Sequence, residues 1–173
     1  MKKLVLPAAI AAIMSLSAFT AINSIDWKIS TGYVINFSSE DPSGVFTSMK
    51  GDISFDENDL KSSMFNVTVD ANSINTGNGM QNKKAKGAEY FDVEKYPVIK
   101  FTSKEISKTA TGYETTGTLD MHGVQKQITI PFTFSNNTFK GNFEVNRIDY
   151  GVGTEGHAAS VLKIAISVPV TKK

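Results

Sequence analysis

From Trp27 onward, apolar and polar side chains alternate with a period of two, and this pattern restricts the fold more than any other feature of the chain. Alternation of this kind is typical of strands that have one apolar and one more polar face. No stretch of comparable length repeats with helical spacing, so the sequence predicts an all-β protein. The apolar members of the clearest runs are Tyr33, Ile35, Phe37; Phe65, Val67, Val69; Leu119, Met121; Ile128, Ile130, Phe132, Phe134; and Leu162, Ile164, Ile166, Val168, Val170.

Short turn sequences separate these runs. His122-Gly123 and Asn136-Asn137 each stand between two runs, and such residues supply the positive φ that a two-residue hairpin requires. The polar stretch Asp56–Asp59 marks a further connection. Strands joined by such short loops must be antiparallel, because parallel strands need a long crossover. About eight antiparallel strands in one domain predict a barrel or a sandwich, which share the same sequence pattern.

The segment between residues 75 and 92 interrupts the alternation. It is rich in Gly, Asn and Lys. It predicts a short helix around Met80 to Ala88, or an irregular insertion near residues 78–92, with Gly79 and Gly87 weakening the helical signal. A long insertion in an otherwise tight meander is more often a functional loop or a lid than a plain connection.

The first 22 residues have the layout of a secretory signal peptide. A positive start at Met1–Lys3 precedes Leu4–Ile22, a run of 19 residues without a charge. A retained membrane anchor is the alternative, because such a run is nearly long enough to span a bilayer. Its Pro, Ser and Thr residues favour cleavage. We expect a signal peptide at residues 1–22, one domain at residues 23–173 with no membrane span after cleavage, and a location in the periplasm or outside the cell.

Composition excludes several classes of protein. The sequence contains no cysteine, so lipid attachment through a thiol and disulfide chemistry are both excluded. An exported domain without disulfides fits a bacterial periplasm better than a small extracellular scaffold. Without the two lysines of the first three residues, 16 basic residues face 17 acidic ones. A nearly neutral chain lacks the cations that a nucleic-acid backbone requires, so we expect no nucleic-acid partner.

Motif-like features do not lead to an enzyme or a metal site. Gly151–Gly156 matches the dinucleotide-binding pattern G-x-G-x-x-G, but it leads into a predicted strand, so the required strand-helix-strand context is absent. His122 and His157 are the only histidines of the sequence, and they lack the short spacing of metal ligands. Asp120 and Asp149 could act as acid and base, but acidic residues at strand ends are more often solvated. We predict no catalytic residue, no metal site and no enzymatic activity.

Phenylalanine is unusually frequent, with ten residues in the predicted domain. A barrel of about eight strands can enclose one elongated apolar ligand, in a lumen lined by aromatic and aliphatic side chains. From composition alone the simpler interpretation is a solid core, since large apolar residues are usually interior for packing reasons. The ten residues are Phe37, Phe46, Phe55, Phe65, Phe91, Phe101, Phe132, Phe134, Phe139 and Phe143.

Five ordered blocks of sequence resemble the YceI-like family. They keep the family's order and spacing over essentially all of residues 23–173, so together they are far more specific than any one block. The blocks are Ser73–Thr76, Ala88–Pro97, Ile99–Ser103, Gly117–Val124 and Asn146–Gly151, and Gly44–Phe46 and Gly51–Asp56 precede them.

The resemblance implies an extended, lipocalin-like antiparallel β-barrel of about eight strands. It implies a periplasmic or secreted carrier that holds an isoprenoid, a quinone-like lipid or a similar amphiphile in its lumen, with no cofactor besides that lipid. Two alternatives remain: a stress-response or structural module that acts through a protein surface, and a secreted lipid-modifying enzyme. A homodimer would be ordinary for such a barrel.

The resemblance also implies the ligand contacts. Arg147 falls on a family motif position, where it could hold a phosphate or pair with Asp149 and lock the bend. The family's acidic-x-His-Leu pattern is missing at Gln81–Lys86, whose lysines could attract an anionic head group or form a solvated loop. The predicted ligand-binding residues are Phe37, Phe91, Tyr96, Phe101, Phe132, Phe143, Arg147 and Tyr150.

Overall fold

Antiparallel strands make up most of the structure, a computed structural model that describes residues 25–156 and 158–173. The predicted signal peptide at residues 1–22 lies outside the described residues. The strands are β1 Asp26–Ile29, β2 Val34–Ser38, β3 Gly44–Phe46, β4 Met49–Ser54, β5 Met64–Asp70, β6 Ile74–Asn75, β7 Val98–Thr109, β8 Gly112–Met121, β9 Val124–Ser135, β10 Thr138–Asn146 and β11 Val161–Lys172. One helix, α1 Gly79–Lys86, and the 3₁₀ turns Ala71–Ser73 and Arg147–Tyr150 complete the regular elements of the described residues.

The strands close into a barrel of eight, as the sequence predicts. Hydrogen-bonded neighbours follow the order β1-β4-β5-β7-β8-β9-β10-β11, and β11 pairs back to β1. Three shorter strands extend the ring at one end: β2 continues the line of β1, β3 that of β4, and β6 that of β5, each after a break in the strand. For example, β1 and β2 both pair with β11, at successive parts of its length. Every strand of the main ring is paired on both sides over at least part of its length, which limits the free edge available for edge-to-edge aggregation.

The period-two runs place their apolar residues inside this barrel. Along β2, Ile35 and Phe37 are buried, whereas Val34 and Asn36 are exposed. The same alternation along β8 buries Leu119 and the residues of like parity. Successive strand residues point to opposite faces of the wall, so the sequence pattern directly indicates which side chains reach the interior.

Both predicted hairpin turns are present. His122 and Gly123 have φ of 54° and 76°, and Asn136 and Asn137 have φ of 49° and 52°. Positive φ at both central positions is the geometry whose twist matches the flanking strands. These turns connect β8 to β9 and β9 to β10, and their register is continuous on both sides.

The ladder between β9 and β10 is short. It runs from the pair Ser135 and Thr138 to the pair Phe132 and Gly141, and ends at Pro131. Proline has no amide hydrogen to donate, so it interrupts the ladder at this point. Beyond Pro131, β9 pairs only with β8 and β10 only with β11.

Helix α1 lies in the predicted insertion and packs beside β6 at one end of the barrel. The Asn78 side chain accepts hydrogen bonds from the amides of Met80 and Gln81, at 2.9 and 3.1 Å, and so caps the first turn. After the helix, the Phe91 amide donates to the Ala85 carbonyl at 3.0 Å. This bond turns the chain so that Phe91 is buried against the interior.

Buried side chains form two clusters along the barrel axis. One, towards α1, includes Phe37, Phe101 and Tyr150. The other, at the opposite end, includes Trp27, Phe55 and neighbouring rings. No helix among the described residues has the length and apolar content needed to cross a membrane.

Candidate functional site

An apolar cavity of ≈ 430 Å³ occupies the part of the barrel nearest α1. Most of its wall is aliphatic and aromatic, supplied by strands from all around the barrel. Its size falls within the range of small-molecule sites, about 300–1,000 Å³. The apolar lining comprises Ile35, Phe37, Pro42, Phe46, Met49, Ile53, Phe65, Val67, Val69, Ile74, Ala85, Phe91, Ile99, Phe101, Leu119, Met121, Ile130, Phe132, Phe139, Phe143, Val145, Val152, Ala158, Leu162, Ile164, Ile166 and Val168.

Five polar lining residues define one end of the cavity, which we call the mouth: Asp41, Gln81, Lys84, Tyr90 and Arg147. Thr76 and Thr115 are the other polar residues of the lining. Asp41, Gln81 and Lys84 are exposed to solvent, so the cavity reaches water at this point. Lys84 Nζ lies 5.2 Å from the centre of the Tyr90 ring, and the Arg147 guanidinium lies 5.9 Å from it. Both cations are therefore held against one aromatic ring at the mouth.

Arg147 is only 3% exposed and is bound by backbone carbonyls. Its side chain donates to Ala159 O, Val152 O, Thr154 O and Ala158 O at 2.9, 2.6, 3.1 and 2.9 Å. The predicted partner Asp149 instead forms an exposed salt bridge with Lys126, 3.4 Å away. Arg147 thus locks the bend, as one of the two interpretations has it, but through carbonyl oxygens rather than through Asp149.

Charge at the mouth is biased towards positive. No salt bridge to Arg147 occurs within residues 25–156 and 158–173. Its positive charge is stabilised by carbonyl dipoles, and a buried charge without a counter-ion attracts an anion more strongly than a paired one. Lys84 adds a second cation to the mouth, whereas Asp41 contributes one carboxylate.

Six of the eight residues predicted as ligand contacts lie in the cavity wall. Phe101 and Phe132 are buried within it, and Phe143 is half-buried. Phe37 and Phe91 both lie near Phe46, whose ring centre is 5.6 Å from that of Phe37 and 5.7 Å from that of Phe91. The sixth residue is Arg147 at the mouth.

The other two predicted residues, Tyr96 and Tyr150, do not line the cavity. Tyr96 covers the β8–β9 turn, where its ring lies 4.5 Å from that of His122. Tyr150 is only 2% exposed, and its hydroxyl has no hydrogen-bond partner among the described residues. Burial, and then the nearby charge of Asp149, raises the pKa of the Tyr150 phenol. Their roles as ligand contacts stay predictions.

Sequence reasoning missed the aliphatic half of the wall. Val67, Val69, Ile164 and Ile166 all line the cavity. Their parity within the alternating runs already indicates an inward orientation, so the signal was present in the sequence. Of the lysines in Gln81–Lys86, only Lys84 reaches the cavity.

The motifs rejected from the sequence have structural roles. Gly151 ends the 3₁₀ turn with φ of 68°, and β11 follows the glycine-rich bend, so no helix opens there. Gly153 has φ of 73°, and a Cβ at this position would lie 2.5 Å from Arg147 Nη1. Glycine is therefore required for the buried guanidinium to fit. Within residues 25–156 and 158–173, no group of three His, Asp or Glu side chains is arranged to hold a metal ion.

Known proteins share both the sequence and the fold. A UPF0312 protein of Serratia proteamaculans is 31% identical over 136 residues, which cover 72% of this chain and 71% of the relative. The protein YceI of Salmonella arizonae is 28% identical over the same length. The crystal structure of Burkholderia cenocepacia BcnA superposes with a TM-score of 0.74 at 26% identity, covering 80% of this chain and 96% of that one.

A more distant structure has the same architecture. A polyisoprenoid binding domain of Saccharophagus degradans, implicated in plant cell wall breakdown, superposes with a TM-score of 0.63 at 16% identity, covering 86% of this chain and 99% of that one. At that identity the likeness shows the fold alone. The YceI-like domain profile, in contrast, matches residues 20–172, nearly the whole chain. The chain belongs to the YceI-like domain family.

Proposed function

We propose that this protein binds a long-chain lipid of the isoprenoid or quinone type, with the chain in the barrel lumen and the head group at the mouth. The observation that carries the proposal is the continuous apolar cavity of ≈ 430 Å³, which reaches solvent beside Lys84. The Saccharophagus degradans domain of the same fold is described as polyisoprenoid binding, which supports the same class of ligand here.

An apolar chain suits this cavity for a physical reason. Burial of each methylene contributes about 0.8 kcal/mol, so a long tail gains affinity without specific contacts. The polar groups at the mouth then need only fix the orientation of the ligand. No arrangement of nucleophile and base faces the cavity among the described residues, and we accordingly propose binding and transport, rather than catalysis.

The proposed place of action is the periplasm or the outside of the cell. The support is the signal-like sequence of Met1–Ile22 and the absence of cysteine. A carrier located there can move a water-insoluble lipid between membranes, because the chain is shielded from water during transit.

Native mass spectrometry of protein expressed in a bacterial host tests the proposal. The full chain is purified from the periplasmic fraction, weighed intact and extracted with organic solvent. We expect one bound lipid per barrel, and a protein mass that corresponds to a mature chain beginning between residues 19 and 25. An apo barrel should take up added farnesol or a short-chain ubiquinone.

Two variants on β7 provide the matched control. Phe101→Asp places a carboxylate in the cavity wall and should weaken lipid uptake or folding. Val98→Asn, at a position 43% exposed on the same strand and opposite Asp70, adds a polar side chain without a second carboxylate and should change neither. A barrel that is empty after native purification and takes up neither added lipid would overturn the proposal and favour action through a protein surface. Turnover of a bound lipid would instead favour the enzyme.

A further inference from the structure

Only part of the barrel interior is hollow. The end opposite the mouth is filled by seven aromatic side chains, which we call the aromatic plug. Phe55, at 1% exposure, is its centre, and its ring lies 5.2 to 6.1 Å from five others. The plug consists of Trp27, Phe55, Phe65, Tyr113, Phe132, Phe134 and Phe139.

The plug is layered along the barrel axis. Phe65, Phe132 and Phe139 line the cavity and so form its floor. Phe55 contacts all three rings but does not line the cavity, so it stands directly behind the floor. Phe134 packs at 5.2 Å on the same central ring and likewise does not line the cavity. At least two layers of rings therefore prevent the apolar chain of a ligand from passing beyond the floor of the cavity.

Polar bonds fix the far side of the plug. The Trp27 indole N–H donates to the Phe55 carbonyl at 2.8 Å. The Tyr113 hydroxyl donates to the Glu57 carboxylate at 2.6 Å. The Trp27 bond is buried, so Trp27 cannot move aside without leaving buried polar groups unpaired. The closely packed rings behind the floor are thereby held in place.

We infer that the aromatic plug sets the length of apolar chain that the protein encloses; the inference rests on the proposed function. At roughly 30 Å³ for each methylene-sized group, about the share of a water molecule in the liquid, the cavity of ≈ 430 Å³ holds a chain of roughly 14 carbon atoms. That is about three isoprene units. Carbons beyond this number remain at the mouth, in contact with water.

The test is a series of prenyl alcohols with two, three, four and eight isoprene units, measured by competition against a fluorescent prenyl probe. Each methylene that enters the cavity should tighten binding roughly fourfold. A third unit adds five carbons to the enclosed chain, so from two to three units the affinity should rise on the order of a thousandfold. From three to eight units it should change by less than about fivefold, because the added carbons stay outside.

Two variants move the floor in opposite directions. Phe139→Val removes about four carbon atoms from the floor, so part of a fourth unit should enter and the fourth unit should now strengthen binding. Val168→Phe, opposite Phe139 in the β10–β11 register, adds about four carbon atoms to the lining, so most of the gain from the third unit should be lost. Phe134→Leu changes the plug behind the floor, so the plateau should stay at three units. Circular dichroism verifies that each variant is folded.

The outcomes separate the two claims. Binding that strengthens steadily up to eight units, or a plateau that Val168→Phe and Phe139→Val leave in place, would overturn the length limit while lipid binding stands. A wild-type protein that binds no prenyl alcohol of any length would overturn the proposed function itself. The inference is supported if wild-type affinity reaches its plateau at three units, Phe139→Val extends the gain to longer chains and Val168→Phe restricts it to shorter ones.

Discussion

Arg147 is charged and almost completely buried, and its bonds go to backbone carbonyls of the bend that precedes β11. A planar guanidinium has five N–H donors in a fixed fork, so it can bind several carbonyls of one loop at once. The sequence left two roles for this residue, a phosphate ligand and a lock for the bend. Local sequence could not decide between them, because the acceptors belong to backbone atoms whose positions only the folded loop defines.

Arg147→Lys should lower the free energy of unfolding by about 3 kcal/mol, because a lysine ammonium cannot reach all four carbonyls and each charge-assisted bond contributes about 1.5–3 kcal/mol. Urea denaturation measures the change. The control is Lys126→Met, which removes the exposed salt bridge to Asp149 and should cost less than about 1 kcal/mol. Equal stability of Arg147→Lys and wild type would show that the bend does not depend on the fork.

The two hairpins show what can be predicted at the level of elements. His122-Gly123 and Asn136-Asn137 were recognisable because a two-residue turn is a local property that depends on residues able to adopt positive φ. Helix α1 was predictable only in outline. Asn78 caps it, but Gly79 lies inside it and none of its residues is buried, so its position depends on contacts with β6 and the following loop.

Asn137→Val should destabilise the β9–β10 hairpin by about 1–2 kcal/mol, because Asn137 has φ of 52° and a β-branched residue strongly disfavours the left-handed region. The midpoint of urea unfolding measures the loss. Asn142→Val, at an exposed position of β10, is the control and should alter stability by less than about 0.5 kcal/mol. If both variants unfold at the wild-type midpoint, the turn conformation does not limit stability.

Period two shows which residues face inward, but not how far along the barrel axis each one lies. Phe55 and Phe101 are both buried aromatic residues, yet Phe55 lies inside the aromatic plug and Phe101 lines the cavity. Of the ten Phe residues in the described part of the chain, eight line the cavity and only Phe55 and Phe134 do not. The sequence left a solid core and an open lumen as alternatives. The structure contains both, at different levels along the barrel axis. Axial position follows from register and from strand tilt, which are long-range properties.

At the scale of the whole molecule, Tyr113 and Glu57 join β8 to the connection between β4 and β5, 56 residues apart in sequence. The bond to the carboxylate, and then burial, raises the pKa of the Tyr113 phenol from 10.0 to about 12. The folded state therefore favours the protonated phenol. Its contribution to stability is complete below about pH 10 and is lost as the pH rises through about 12.

Tyr113→Phe should lower the free energy of unfolding at about pH 8, and its deficit relative to wild type should shrink as the pH rises from about 10 to 12. Urea unfolding followed by the fluorescence of Trp27, the single tryptophan of the sequence, measures both proteins. Glu57→Gln provides the comparison, since it keeps an acceptor but removes the charge, and its unfolding should depend less on pH in this range. A deficit that stays constant from about pH 8 to 12 would contradict the proposed coupling.

The closure of the barrel also bears on how the protein is made. Strand β11 pairs with β10, with β2 and with β1, the strand nearest the start of the described chain. β1 is synthesised long before Val161–Lys172, so the ring cannot close until its last strand has been made. Pairings between such distant segments form slowly, and open edges invite aggregation in the meantime. The solubility of the nascent chain therefore depends on how soon β11 pairs with the other strands.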